Sequence, residues 1–132
     1  MNLPLDIGHS LLDIGYSQLP IFDKAGMMSR LMDDEDLART VIETFLDDVP
    51  KQIEALRGYL ETGDAPSAER QAHTIKGASA NLGGEALRAV AFEMEKAAKA
   101  GNLEYVTARL PELENQFTRL KVAMNEFAKG GK

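Results

Sequence analysis

Apolar residues recur along most of this chain at steps of three and four, the spacing that places them on one face of an α-helix. Leu37, Val41, Phe45, Val49, Ile53, Leu56 and Leu60 form such a stripe, and it predicts a long helix beginning near Asp34 or Asp36 and ending at Gly63. Pro50 lies inside the stripe and is expected to kink the helix without ending it, because the apolar period runs through. A second stripe, Leu103, Val106, Leu110, Leu113, Phe117, Leu120, Met124 and Phe127, predicts another long helix, bent or broken near Pro111. Between them, a helix from about Glu85 to Ala100 presents Leu87, Val90, Ala91, Met94 and Ala98 on one face. A further helix starts after Asp64-Ala65-Pro66, runs to about Leu82 and stops at Gly83-Gly84. A short helix, about Lys24 to Met32, precedes these with Asp23 as its cap. Met27, Met28 and Met32 are expected to pack in or at the edge of the core.

No segment alternates as a half-buried strand would, and the short connections between long amphipathic helices make neighbours antiparallel. The expected fold is all-α: an antiparallel up-and-down four-helix bundle with a short additional N-terminal helix, spanning residues 21–130. Residues 1–20 carry Pro4, Gly8, Gly15 and Pro20 without helical spacing and are expected to be an extended lead-in or linker. The near repeat of Leu5 to Ser10 in Leu12 to Ser17 is too short for a solenoid.

Composition narrows the function. The 132 residues suit one domain, and with no cysteine there is no disulfide, thiolate metal site or cysteine nucleophile. A net charge of −6, with 15 Lys and Arg interleaved among 21 Asp and Glu, argues against nucleic acid as a partner. No apolar run reaches the roughly 20 residues needed to span a bilayer, and the N-terminus lacks a signal-peptide pattern, so a cytoplasmic protein without membrane insertion is expected. No metal or cofactor is expected either. Glu69 is four residues from His73 and so does not make the Glu-x-x-His of a di-iron bundle, and Gly83-Gly84 lacks the lysine and hydroxyl of a phosphate loop. The run Asp33-Asp34-Glu35-Asp36 is a helix start favoured by the macrodipole.

The helix between residues 65 and 82 is poor in large residues and rich in small ones. Its only possible buried stripe is Ala68, Ala72, Ile75, Ser79 and Leu82. His73 then points to solvent, about 140° from the stripe, with Glu69, Lys76, Gly77, Ala80 and Gly84 grouped around it. A mid-helix glycine costs about 1 kcal/mol relative to alanine, so Gly77 beside an exposed imidazole needs a reason. A flat strip of Gly77, Ala80 and Gly84 would let another protein approach the ring closely. Lys76, within reach of His73, would favour the uncharged nucleophilic ring and stabilise negative charge arriving on it.

The run His73-Thr74-Ile75-Lys76-Gly77-Ala78-Ser79-Ala80-Asn81-Leu82-Gly83 resembles the His-x-x-Lys-Gly-Ser/Ala-Ser/Ala-x-x-x-Gly motif of histidine-containing phosphotransfer (HPt) domains of multistep two-component signalling. The resemblance extends from Phe22-Asp23 through the last helix, including Phe45 to Pro50 and Leu110 to Glu114, and departs at Gly84, where the family more often has alanine. It implies that His73 accepts a phosphoryl group from a receiver-domain aspartate and passes it to another receiver, or the reverse. It further implies that Lys76 stabilises the phosphoryl group, that Gly77 leaves room for the receiver, and that any Mg²⁺ belongs to the receiver. Partners would be response-regulator receiver domains and a sensor or hybrid histidine kinase, with this chain a monomer having no ATP-binding or autokinase activity. The dimerisation helices of histidine kinases differ, usually following their histidine with acidic and proline positions where this chain has Thr74, Ile75 and Lys76. The competing reading is a non-catalytic helical adaptor that binds a partner through the face around Gly77, with His73 incidental.

Overall fold

The structure, a computed structural model, describes residues 18–130; His9, the near repeat and nearly all of the expected lead-in lie outside the described residues. Five helices follow in order: α1 (Lys24–Arg30), α2 (Glu35–Glu61), α3 (Ala65–Asn81), α4 (Glu85–Lys99) and α5 (Leu103–Gly130). Four of the five starts have a side-chain cap. The carboxylates of Asp23, Asp34 and Asp64 accept hydrogen bonds from the backbone N–H of Gly26, Leu37 and Ser67 at 3.0, 3.0 and 3.1 Å, and the Asn102 side chain does the same for Tyr105. Such caps contribute about 1 kcal/mol apiece.

The three-residue connections 62–64, 82–84 and 100–102 reverse the chain each time, so α2 to α5 form an up-and-down bundle. α2 packs on α3, α3 on α4, α4 on α5, and α5 back on α2, closing a four-helix square. Its centre is filled by fully buried Leu56, Ile75, Leu87, Met94, Leu113, Leu120 and Met124, with the Phe45 and Phe117 rings 6.2 Å apart between α2 and α5. The buried Ser79 hydroxyl donates to the Ile75 carbonyl at 2.7 Å, which satisfies it within its own helix.

α1 closes the end of the bundle where α3 turns into α4. The Asp23 N–H donates to the Gly83 carbonyl at 2.7 Å, the Ala86 N–H to the Pro20 carbonyl at 3.2 Å, and Arg30 Nε to the Asn81 carbonyl at 3.0 Å. Gly83 has φ of +80°, and a Cβ there would stand 2.5 Å from the Asp23 carbonyl oxygen, so both backbone shape and contact demand glycine.

Three details differ from the sequence reading. α1 ends at Arg30 because Met32 and Asp33 take left-handed backbone conformations, and Met32 is exposed rather than packed. In the first two turns of α2 the buried residues are Ala38 and Ile42; Leu37 is exposed and Val41 only partly buried. α2 continues through Pro50 as expected, and α5 likewise runs through Pro111 as one helix without a break. Gly84 lies buried at the start of α4, where a Cβ would meet Leu120 Cδ2 at 2.6 Å. It therefore does not extend the exposed strip; its small size admits Leu120 of α5.

Candidate functional site

α3 buries Ala68, Ala72, Ile75 and Ser79, the stripe expected from its sequence, and this turns His73 outward with 63% of its side chain exposed. Gly77, one turn on, is exposed, and a Cβ there would meet nothing within 4 Å. Space for a side chain exists, so packing among the described residues does not demand the glycine. Partly buried Ala80 and Gly77 line a shallow depression with Lys76, Arg88 and Phe92. Glu69 lies on the other side of His73, in a recess shared with Arg70, Thr74 and Glu95.

The residue that organises the site is Glu95 of α4, which the sequence reading missed. Its Oε2 is 2.8 Å from His73 Nδ1 and its Oε1 is 2.8 Å from Lys76 Nζ, so one carboxylate joins both residues. Burial works against its ionisation, but the contacts with Lys76 and His73 outweigh this and hold the carboxyl below its ordinary value. Lys76, expected beside the ring, has its charge met by Glu95. A signal for this residue was available. α3 and α4 form a hairpin turning at Gly84, and residues equally distant from the turn face each other: 84 − 73 and 95 − 84 are both 11. Lys76 and Phe92, each eight from Gly84, pair likewise, with Lys76 Nζ 4.8 Å from the ring centroid.

An ionised carboxylate only accepts hydrogen bonds, so its contact with Nδ1 assigns the ring proton to that nitrogen. In the neutral ring Nε2 then carries the free lone pair. Among the described residues no three His, Asp or Glu side chains are grouped to hold a metal ion, and no helix is long and apolar enough to cross a membrane.

The bundle thus carries an outward histidine, a lysine three residues on and an exposed glycine beside them. The family model of the Hpt domain matches residues 40–123, and the chain belongs to that family. It is 24% identical over 108 residues to the phosphorelay intermediate protein rdeA of Dictyostelium discoideum, a match covering 82% of this chain and 42% of that protein. The chain thus spans less than half the length of this curated relative. Among solved structures, histidine-containing phosphotransfer protein B of Pseudomonas aeruginosa PAO1 superposes with a TM-score of 0.78 at 26% identity, covering 83% of this chain and 96% of that one. The HPT domain of a sensor hybrid histidine kinase from Shewanella shares the fold, with a TM-score of 0.70 at 20% identity over 83% of this chain and 95% of its own.

Proposed function

We propose that this Hpt-family chain is a phosphorelay intermediate in which His73 Nε2 takes a phosphoryl group from the aspartyl phosphate of one receiver domain and hands it to the aspartate of another. The observation that carries this reading is the convergence of exposed His73 and partly buried Lys76 on the single carboxylate of Glu95. In the forward step the Nε2 lone pair attacks phosphorus, the P–O bond to the donor aspartate breaks, and the aspartate leaves as a carboxylate with the electron pair. The ring, still protonated at Nδ1, becomes cationic, and Glu95 lies against that proton. In this reading Lys76 balances negative charge on the phosphoryl oxygens. The reverse step retraces this path.

The chain carries the phosphoryl group rather than turning over a substrate, with ATP chemistry left to a kinase and Mg²⁺ to the receiver. Response-regulator receivers and a sensor or hybrid histidine kinase are its partners, and its compartment is the cytoplasm. A pure adaptor would have no use for a lysine and a carboxylate arranged about the imidazole, so that reading is set aside.

Incubating the chain with a phosphorylated receiver should place acid-labile, base-stable phosphate on it, and His73→Gln should remove that phosphate while the bundle stays folded. Gly77→Gln should also stay folded yet block transfer from the receiver, since a side chain one turn away holds the reacting atoms apart. Phosphate persisting on the His73→Gln protein would end this reading.

A further inference from the structure

Phe92 is the large apolar residue exposed on α4, at 39%. A single exposed phenylalanine is ordinary on a protein surface. This one, however, lines the same depression as Gly77 and Ala80, which makes it part of the ground an incoming partner must cover to reach His73. Its ring also carries two cations, with Lys76 Nζ at 4.8 Å and Lys96 Nζ at 4.6 Å from the centroid.

The charges around it are sorted by depth. Lys96 is paired with Glu93 at 3.4 Å, but the lysine is 55% exposed and the glutamate 16%. Lys76 over Glu95 and Arg88 over Glu85 show the same order, the cation more exposed than its carboxylate. Although each pair is neutral, a body arriving from solvent meets Lys76, Arg88 and Lys96 before the acids behind them. The chain as a whole carries −6, so a cationic rim around an aromatic centre is a local departure from its average.

We infer that Phe92 is the apolar anchor of the receiver-docking footprint and that its cationic rim selects the acidic, phosphoaspartate-bearing face of the receiver, so that the partner bridges α3 and α4. This rests on the phosphorelay reading above. It adds a residue that no feature of the His73 motif points to, and it makes α4 a determinant of which receivers are served. An aromatic ring buried at the centre of an interface and ringed by charges is the arrangement in which a few residues dominate affinity.

The test uses receiver domains phosphorylated in advance, taking the one that transfers fastest to the wild-type chain, together with phosphoramidate as a small donor that needs no docking. Phe92→Ala should weaken receiver binding at least tenfold, and this loss should exceed any change in the phosphoramidate rate by a similar factor. Phe92→Tyr should restore most of the affinity. Raising ionic strength should weaken wild-type binding more than binding by Lys96→Ala. Val122→Ala, which trims an exposed apolar residue on α5, should bind as wild type. Unchanged receiver affinity in Phe92→Ala would overturn the inference. An equal fall with both donors would overturn it too, since Phe92 would then act by holding Lys76. If the wild-type chain takes phosphate from neither donor, it is the phosphorelay reading that fails.

Discussion

α3 and α5 meet the same core by different means. α5 inserts Val106, Leu110, Leu113, Phe117, Leu120 and Met124, so its place in the bundle is held by side-chain volume. α3 contributes two alanines, a serine and a single isoleucine, so it is held by close approach of its backbone to its neighbours. The helix with the smaller share in the core carries the proposed phosphoacceptor, His73, and has an outer face short-sided at Gly77 and Ala80. On that proposal reactivity and stability lie on different helices, and perturbing each should give different outcomes.

The sharpest division is expected from Leu113→Ala. Leu113 is fully buried, and the lost contacts and the cavity should lower unfolding free energy by about 2–5 kcal/mol, while phosphoryl transfer per folded molecule stays at the wild-type rate. Denaturant titration beside transfer kinetics reads both quantities; a transfer defect in the folded fraction would show that α5 does contribute to the site.

Lys76→Ala should do the opposite. Transfer should slow by roughly 10- to 1000-fold, as removal of one stabilising charge near a reacting oxygen is worth about 2–4 kcal/mol, with little change in unfolding. Wild-type single-turnover rates would mean that the charge is supplied by the receiver.

Smaller in energy, Gly77→Ala should raise stability by about 0.5–1 kcal/mol, because alanine is the better helix former and a Cβ at this position meets nothing. A lower melting temperature would place a strain at Gly77 that its geometry does not show.

The smallest effect is a pH dependence from Glu95. Its carboxyl is held below the ordinary 4.5, so its contribution to stability is complete above that value and is lost as pH falls through the lowered folded value. Between pH 7 and pH 3 the wild type should lose more stability than Glu95→Gln, closing the gap between them. A constant gap would indicate that the carboxylate gains nothing from Lys76 and His73.

Much of the fold was legible because local chemistry writes it down. Asp23, Asp34 and Asp64 cap the helices they precede, and Gly63, Gly83 and Gly101 all take positive φ just past helix ends. The stripe of α3 was legible since Ile75 and Leu82, the large aliphatic residues of this segment, both fall on it. The first turns of α2 were misread because Leu37 and Val41 extend the step of four back from Phe45, while the buried face is Ala38 and Ile42, where Ala38 is small enough for close packing. Gly84 was misplaced by extending a helical wheel past the point where the backbone turns. Glu95 was missed for another reason: periodicity describes one helix at a time, and the Glu95 contacts exist only between two.

In the relay proposed above, the open position of His73 would also govern the order of events. Donor and acceptor would have to occupy the same face and could not do so together, so each exchange is a turn taken alone. An unphosphorylated receiver in excess is then a competitor as well as a destination, and the ratio of partners sets the throughput of the carrier.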